Sequence, residues 1–337
     1  MHRDALSDML RAARLHTGAF FYQLIPDIAW HHQAPPCHEM AAAVAPGSTH
    51  CISFHLLVKG NCFARLRGEE PVPLQVGDLV IVAKGDVYQL GNDVNALPKP
   101  VEISELRRKA RELPPAPESG SADDAVRAAQ QAIDAAGTVF VCGFLVCDRD
   151  TMASMLSALP PMLVWPGSQA SSWSQQIIRQ AAYETAHRTA GSDAMVEQLA
   201  QMVFVDTVRR YLEQLPADAT GWLAAVRDRF VGRALSLIHE RPHENWTLDS
   251  LGAAVGLARS ALHERFVMYL GLAPIQYLTA WRLQTGAGLL QNTQYPVSAI
   301  AQQVGYESEA AFSRAFKRQF EMPPGAWRRA RMPQLET

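Results

Sequence analysis

The sequence predicts an α+β protein with a small β-barrel in its first half, a helical extension, and an all-α C-terminal part. Three observations support this fold class. Residues 51–90 contain short runs rich in Val, Ile and Phe, separated by Gly-Asp turns, which is typical of closely spaced strands. From about residue 172 onward, apolar residues recur every three to four positions, which is typical of helices. Near the C-terminus one helical pattern occurs twice.

The first half also contains a second strand pattern, T-V-F-V-C-G-F-L-V-C, at residues 138–147. Between the two strand blocks, a stretch rich in Pro, Ala and Ser at about 107–137 predicts a flexible insertion. We therefore predict three parts of the chain, which are a barrel domain at 1–165, a helical dimerisation or linker region at 166–226, and a helical domain at 227–337.

The net charge of −2 hides an uneven distribution along the 337 residues. From Arg227 to the end, 13 Lys and Arg stand against 9 Asp and Glu, which gives +4 and leaves −6 for the preceding part. A basic C-terminal part beside an acidic N-terminal part fits a polyanion-binding module attached to another domain.

Cysteine usage and hydropathy limit the class of protein further. All five cysteines lie in the first half, and the N-terminus has no apolar segment of the kind that directs secretion. An odd number of cysteines without such a segment argues against a secreted disulfide scaffold. Because no apolar run approaches the length of a membrane span, we expect a cytoplasmic protein with no membrane partner.

The repeated C-terminal pattern has the form of a helix–turn–helix. In each copy an apolar helix stops at a glycine, Gly256 or Gly305, and a second helix restarts near Arg259 or Ser308. The copies are offset by about 49 residues, and paired apolar positions would lock the two helices at a steep angle. The matched positions are Leu248 with Val297, Leu251 with Ile300, Val255 with Val304, Leu262 with Phe312, and Phe266 with Phe316.

The elements around the two copies also have sequence signals. Thr247 and Ser298 stand where a side-chain oxygen can cap the first helix of each copy. Between the copies one long helix is predicted, with Pro274 in its first turn. Such a helix would space two recognition helices about 34 Å apart, one turn of DNA. Its predicted buried stripe consists of Ile275, Leu278, Leu289 and Leu290.

On these residues the chain resembles the AraC/XylS family of regulators over about 229–331. The most specific stretch is G-Y-E-S-E-A-A-F-S-R-A-F-K-R-Q-F-E-M-P-P-G-A-W-R-R, together with the connecting P-x-x-Y-L-x-x-W-R-L. The first half is similar to the cupin-type sensor domain of one subgroup, on F-H-L-L-V-K-G, L-Q-V-G-D-L-V-I-V-A-K-G-D and S-A-L-P-P-M-L-V-W-P. The resemblance implies a non-enzymatic regulator that binds double-stranded promoter DNA as a homodimer. It also implies a small-molecule effector and RNA polymerase as partners.

Position by position, the resemblance implies two sets of DNA-contacting residues. Arg314 is the leading candidate, since the guanidinium matches a guanine edge. Lys317, Arg318, Arg328 and Arg329 suit phosphates. The candidates are Arg259, Ser260, His263 and Glu264 in the first recognition helix and Glu309, Ser313, Arg314 and Lys317 in the second.

Two positions depart from the family pattern. Glu264 stands where an arginine is common, and it would either accept from a cytosine amine or pair with Arg265. Glu321 replaces a customary glycine after the last recognition helix, which affects the local backbone rather than the fold.

The barrel predicts a cavity of the kind that holds small ligands. His55 has Ser53 where a metal-binding cupin would have a second histidine, and Tyr88 stands where the sensor subgroup tends to carry His, so we expect neither a metal nor a cofactor. Thiol oxidation is an alternative signal, because Cys37 lies beside His38. The ligand or redox candidates are His55, Tyr88, Cys37, Cys51 and Cys142.

Three classes of protein are compatible with these features. The first is a sequence-specific transcription regulator that senses a small molecule or a redox signal. The second is a cupin-type metal-dependent enzyme, against which the incomplete metal motif counts. The third is an adaptor that no longer reads DNA, which Glu264 would favour. The sequence leaves open whether a regulator of this kind activates or represses.

Overall fold

The computed structural model describes residues 4–13, 15–45, 48–109, 131–168, 172–187 and 189–331. Most of the predicted insertion at 107–137 lies outside the described residues, since 110–130 are not among them. The chain forms two compact units. We call Leu15–Cys147 with Leu159–Arg210 the sheet unit, and Met1–Arg14, Asp148–Ala158 and Tyr211–Thr337 the helical unit. Each unit consists of segments that are separated along the chain. The predicted division of the chain into three parts at residues 165 and 226 stays a prediction.

The sheet unit is built from two five-stranded sheets, with strand orders β1-β9-β3-β6-β10 and β5-β4-β7-β2-β8. The strands predicted at 51–90 and 138–147 are present, and the α+β fold class is confirmed. The strands are β1 His16–Ile25, β2 His31–Gln33, β3 His50–Lys59, β4 Cys62–Leu66, β5 Val72–Leu74, β6 Leu79–Val82, β7 Tyr88–Gly91, β8 Lys99–Pro100, β9 Thr138–Cys147 and β10 Met162–Trp165.

Strand β9 lies inside the first sheet, next to its edge strand β1, and pairs antiparallel with both β1 and β3 along most of its length. Every residue of β9 is buried, as its continuous apolar sequence requires. The register places Cys142 directly opposite His55 of β3 and Phe21 of β1. Directly paired residues project to the same face of a sheet, so these three side chains face the same core.

Among the described residues, four of the named helices lie wholly or mostly in the sheet unit, and residues 131–135 are helical as well. Helix α2 (Cys37–Val44) packs against β3 and β9, and α3 (Ile103–Lys109) packs against α2 and β1. Helix α5 (Ser172–His187) covers the outer face of β1 and β9, and α6 spans Ser192–Gln214. Because α5 covers one face of the sheet while the second sheet covers the other, the central strands are apolar on both sides.

The helical unit contains two helices from the first half of the chain as well as the C-terminal helices. α1 packs against α8, and α4 packs against α7 and α11. None of the helices in the described part of the chain combines the length and apolar composition needed to cross a membrane. The helices are α1 Ala5–Ala13, α4 Arg149–Ala158, α7 Trp222–Arg227, α8 Arg229–Glu240, α9 Leu248–Val255, α10 Arg259–Leu270, α11 Pro274–Asn292, α12 Val297–Gln303, α13 Glu309–Phe320 and α14 Pro324–Arg331.

The connecting helix α11 begins at Pro274, as predicted. Its predicted buried stripe is only partly correct, because Ile275 is exposed whereas Leu278 and Leu290 are buried. The reason is that larger rings fill the contact with α8. Trp281 of α11 stacks on His239 of α8 with ring centroids 3.7 Å apart.

Candidate functional site

Helices α9 and α10 form the first helix–turn–helix motif. The Thr247 hydroxyl caps α9 by accepting from the Ser250 amide at 3.0 Å, and the Thr247 amide donates to the Ser250 hydroxyl at 2.9 Å. This reciprocal pair confirms the predicted cap and satisfies amides that a helix start leaves without partners. Helix α9 ends at Gly256 in the left-handed conformation with φ +77°, and α10 starts three residues later.

Helices α12 and α13 form the second helix–turn–helix motif. The predicted cap at Ser298 is wrong, because α12 begins at Val297 after Pro296, whose fixed φ suits a helix start. Gly305 makes the turn with φ +92°. Ser308 then caps α13 by accepting from the Ala311 amide at 3.2 Å, so the predicted restart near this residue is confirmed.

The paired apolar positions of the repeat pack each motif. Four of the five pairs are buried on both sides, and the first pair, Leu248 and Val297, is half-buried. The buried positions are Leu251, Val255, Leu262 and Phe266 in the first motif and Ile300, Val304, Phe312 and Phe316 in the second.

The candidate contact residues of the first recognition helix, α10, lie on its outer face. The Arg259 side chain is 68% exposed, and its guanidinium lies 3.5 Å from the Asp249 carboxylate. An exposed pair of this kind contributes little to stability, so Arg259 can exchange Asp249 for a phosphate or a base. The other three candidates, Ser260, His263 and Glu264, are exposed as well.

Arg265 takes a structural role in the first motif. Its guanidinium donates to the Asp228 carboxylate at 2.6 Å and lies over the Phe230 ring. Asp228 in turn caps α8 by accepting from the amides of Phe230 and Val231. Arg265 thus ties α10 to α8, while Glu264 beside it faces solvent.

The candidates of the second recognition helix, α13, form a more basic face. Arg314, Lys317 and Arg318 are exposed along successive turns, Glu309 is exposed at the helix start, and Ser313 is half-buried. Two cations in the last turn also complement the helix dipole.

Arg328 of α14, predicted to suit phosphates, instead ties the chain together. Its guanidinium donates to the carbonyl of Leu290 at 3.2 Å and to that of Tyr295 at 2.5 Å. Arg329 beside it is exposed and stays a phosphate candidate.

The sheet unit encloses a cavity between its two sheets and helices α2 and α3. The volume of the cavity that the centre of a water molecule can occupy is about 70 Å³. One ordered water needs about 10–15 Å³ by that measure, so there is room for a group the size of about five waters. The walls are largely apolar and aromatic, including Phe21, Trp30, Met40, Leu90, Phe140 and Phe144. All five predicted sensor residues line this cavity, namely Cys37, Cys51, His55, Tyr88 and Cys142.

His55 is the centre of a buried polar network in the cavity wall. Its Nε2 lies 2.6 Å from the Tyr88 hydroxyl, and its Nδ1 lies 3.1 Å from the Cys142 sulfur. Burial lowers the pKa of His55 to about 3, so the ring is neutral and has one donor and one acceptor nitrogen. Burial also raises the pKa of Tyr88. The pair of His55 and Tyr88 is therefore uncharged at neutral pH.

A second polar group lies where α2 meets β3. The Cys51 amide donates to the Cys37 sulfur at 3.1 Å, and His50 Nδ1 lies 3.6 Å from that sulfur. His50 Nε2 lies 2.7 Å from the Ala83 carbonyl. The sequence predicts that Cys37 is activated by its neighbour His38, but the His38 side chain is exposed, and His50 is the histidine that contacts Cys37. His50 was missed because it meets Cys37 only through the packing of a helix on a strand, and the Gly85-Asp86 turn beside it was the one available signal.

A metal site is not assembled from these groups. In the part of the chain that the structure describes, no three His, Cys, Asp or Glu side chains are grouped so that they could hold a metal ion. The described residues of the cavity wall offer hydrogen bonds, apolar contacts and thiols.

Sequence comparison connects the two units to known proteins. The profile of a family described as a cupin matches residues 4–213, and that of a helix-turn-helix domain matches residues 251–330. A putative AraC-like transcription regulator from Streptomyces antibioticus is 30% identical over 296 residues, which are 86% of this chain and 91% of that protein. The chain belongs to the AraC family of transcription regulators.

Further relatives of this AraC-family protein match either most of the chain or about a third of it. A putative AraC-like transcription regulator from Streptomyces lividans is 31% identical over 285 residues, covering 82% of this chain and 86% of that one. The DNA-binding domain of AdpA, solved in complex with a target DNA, is 31% identical and covers 32% of this chain and 98% of that chain, with a TM-score of 0.30. The AraC-family protein is thus a DNA-binding transcription regulator, and its relatives point away from an enzyme.

Proposed function

We propose that this AraC-family regulator reads promoter DNA with both recognition helices and that a small uncharged effector in the sheet-unit cavity controls the reading. The observation that carries the proposal is the pairing of two properties in one chain. Two motifs present exposed polar side chains after a left-handed turn, and a separate unit encloses an apolar cavity with a neutral polar network.

The assignment of DNA contacts follows from exposure and chemistry. Arg314 is suited to a guanine edge, and Arg259 occupies the first turn of the other recognition helix. Lys317 is suited to a phosphate, which gives affinity without sequence choice. Ser260, His263, Glu264, Glu309 and Ser313 complete the proposed contact set. A homodimer is the default assembly for such a reader, because paired half-sites match a two-fold axis, and RNA polymerase is a further proposed partner.

The class of effector follows from the cavity wall. Buried charges are costly unless they are paired, and the wall offers neutral His55 and Tyr88 rather than a charged partner. Asp86, the charged residue of the lining, is exposed. The proposed effector is therefore small and uncharged, with one polar group to pair with His55 or Tyr88.

Chain connectivity offers a path from the cavity to the reader. Strands β1 and β9 contribute Phe21 and Phe140 to the cavity wall and are paired with each other. Helix α1 ends three residues before β1, and α4 begins two residues after β9. Both helices pack within the helical unit, on α8 and on α7. A shift of the two strands would therefore be passed on directly to helices that support the first motif.

Oxidation is a second candidate signal, favoured by the contact between the Cys51 amide and the Cys37 sulfur. Both cysteines line the cavity, and the Cys37 sulfur contacts the backbone of Cys51, so one cysteine could resolve the oxidised other as a disulfide. The effector and the redox signal remain alternatives for the same cavity.

Two experiments test the proposal. The first is binding-site selection with the purified full chain at moderate salt, with and without reductant. We expect the selected DNA to contain two short conserved sequences, each read in the major groove, about one helical turn apart. A motif that appears in only one redox state would favour thiol oxidation as the signal. No enriched motif in either state would contradict the proposed reader.

The second experiment is a thermal shift with phenol and benzoate at neutral pH, two probes of similar shape that differ in charge. Phenol is expected to raise Tm and benzoate to leave it unchanged, because the described residues that line the cavity include no Lys or Arg to pair with a carboxylate. Ser53→Leu, which fills part of the cavity, is the control that removes the phenol shift. Equal shifts from both probes would contradict the uncharged class.

A further inference from the structure

The contact of Cys37 with His50 has the arrangement of an activated nucleophile. We propose that Cys37 is a covalent modification site, with His50 as its general base, for small uncharged electrophiles that enter the sheet-unit cavity. This inference goes beyond the proposed function, in which the cavity binds an effector reversibly or its thiols are oxidised, and it does not depend on DNA binding.

The orientation of His50 is fixed by its second nitrogen. The Ala83 carbonyl can only accept a hydrogen bond, so Nε2, at 2.7 Å, carries the proton in the neutral ring. The lone pair of Nδ1 then faces the Cys37 sulfur at 3.6 Å. A thiol next to a base that a third group orients is the arrangement of nucleophilic catalysis. His50 is 1% exposed, so its orientation is also fixed by packing.

The sulfur of Cys37 lies between the His50 ring and the backbone of Cys51, whose carbonyl accepts from the thiol at 3.6 Å. The Cys51 amide donates to it at 3.1 Å. Cys37 is also the first residue of α2, where the amides of the first turn and the helix dipole favour an anion. Burial raises the pKa of Cys51 and raises that of Cys62 to about 12, so these two thiols stay protonated at neutral pH.

Gly85 closes the space around this pair. A β-carbon at residue 85 would lie 2.5 Å from the Cys37 sulfur and 3.2 Å from Cε1 of His50, and the φ of +79° also favours glycine. The turn backbone therefore approaches the pair more closely than any residue with a side chain would allow.

Access to Cys37 runs through the cavity that it lines. The residue is partly buried, in contrast to the four buried cysteines. The neighbouring walls are apolar, with Met40 and Phe144 among them, and the space suits a molecule of a few heavy atoms. These properties select soft, uncharged carbon electrophiles such as α,β-unsaturated carbonyl compounds over charged reagents of equal reactivity.

The proposed reaction is a conjugate addition that needs no oxidant. The Cys37 proton moves to His50 Nδ1, and the sulfur lone pair forms a bond to the β-carbon of the electrophile. The π electrons of the alkene move toward the carbonyl to give an enolate. The proton on His50 then returns to the α-carbon, so the adduct contains all atoms of both reactants and His50 is neutral again.

The test is a labelling time course of the full chain with N-ethylmaleimide, an uncharged Michael acceptor, followed by peptide mass spectrometry. Cys37 is expected to react first, at least about tenfold faster than Cys62 and faster than Cys37 of the same chain unfolded in urea. The unfolded chain is an internal reference that needs no variant. Native labelling of Cys37 no faster than unfolded labelling would overturn the proposal.

Two variants and one pair of reagents sharpen the test. His50→Gln and Gly85→Ala are each expected to slow Cys37 labelling at least about tenfold, with folding checked by circular dichroism. Iodoacetamide is expected to outpace the anionic iodoacetate at Cys37 by more than it does in the unfolded chain. An unchanged labelling rate of Cys37 in folded His50→Gln would overturn the role of His50 as the base. A preference for iodoacetamide no larger than in the unfolded chain would overturn the selection of uncharged electrophiles.

Discussion

The two helix–turn–helix motifs share a backbone but differ in what packs behind them. In the first motif, Phe266 packs near a polar aromatic group in which His239 stacks on Trp281 and contacts the Tyr277 hydroxyl at 2.8 Å. In the second motif the core is aromatic and apolar, with Phe316 between Phe312, Phe320 and Trp327. A left-handed turn and paired apolar positions thus fix the motif, while the composition of the core can vary.

The exposed faces differ as well. Recognition helix α10 has one exposed arginine, Arg259, and two exposed apolar side chains, Val267 and Met268. Helix α13 has three exposed cations, Arg314, Lys317 and Arg318. Because cations supply most of the affinity for phosphates, we expect the second motif to dominate binding and the first to adjust it.

The largest expected effect is a difference in stability between substitutions of the two turn glycines, Gly305 and Gly256. A β-carbon at Gly305 would lie 2.8 Å from the Arg282 guanidinium and from the His243 α-carbon, whereas one at Gly256 would meet nothing within 4 Å. Gly305→Ala should cost about 2–4 kcal/mol of unfolding free energy, from strain plus overpacking, and Gly256→Ala about 1 kcal/mol from strain alone. Urea unfolding of both variants is the measurement, and equal costs would contradict the difference in packing.

The next effect compares the two arginines proposed to face DNA. Arg314→Ala should cost about 1–3 kcal/mol on the selected operator and relax base choice at one position. Lys317→Ala, the matched control on the same helix, should weaken all sequences alike and reduce the salt slope by about one. Arg259→Ala should cost less than Arg314→Ala. Fluorescence anisotropy against salt measures all three, and uniform weakening by Arg314→Ala would reassign it to a phosphate.

A pH effect arises from the buried histidine behind the first motif. Burial lowers the pKa of His239 to about 3, below the value of about 6.5 in an unfolded chain. Unfolding then takes up a proton, so this contribution to stability is complete above pH 6.5 and is lost as the pH falls toward 3. His239→Phe, which keeps a ring against Trp281, should flatten the fall of Tm between pH 6.5 and 4. An unchanged fall of Tm would assign the acid sensitivity elsewhere, with His55 of the sheet unit as the next candidate.

The smallest effect concerns the ends of the two recognition helices. Helix α10 ends at Gly271 with φ +68°, and α13 ends at Glu321 with φ +59°, so a glutamate adopts the left-handed conformation that the resemblance assigns to glycine. Glu321→Gly should stabilise the protein by about 0.5–1 kcal/mol, and Gly271→Glu should destabilise it by a similar amount. Thermal unfolding of both variants measures this, and destabilisation by Glu321→Gly would point to an unrecognised contact of its side chain.

The DNA-binding half was largely predictable from its sequence because its signals are local. Each signal determines structure within a few residues of its own position. These signals are a glycine after an apolar helix, a Ser or Thr before a helix, and apolar residues three to four positions apart. Ser298 was assigned the wrong role because Pro296 and Ser298 both suit a helix start, and only the backbone path decided between them.

The cavity chemistry depended on contacts that are distant in the chain. His55 and Tyr88 were each predicted as sensor candidates, but their contact at 2.6 Å joins two strands that belong to different sheets. His50 beside Cys37 and Gly85 beside both required the packing of α2 on β3. The periodicity of apolar residues in a sequence does not predict which distant side chains come into contact.

The sequence by itself determined the fold class, the two helix–turn–helix motifs, and the positions of strands and turns, because each depends on the local pattern of apolar residues, glycines and caps. Tertiary structure alone decided that α1 and α4 pack with the C-terminal helices, that Arg265 and Arg328 are structural, and that Cys37 meets His50. The physical reason is that these contacts depend on how buried surfaces fit together across long separations, and no short segment encodes that fit.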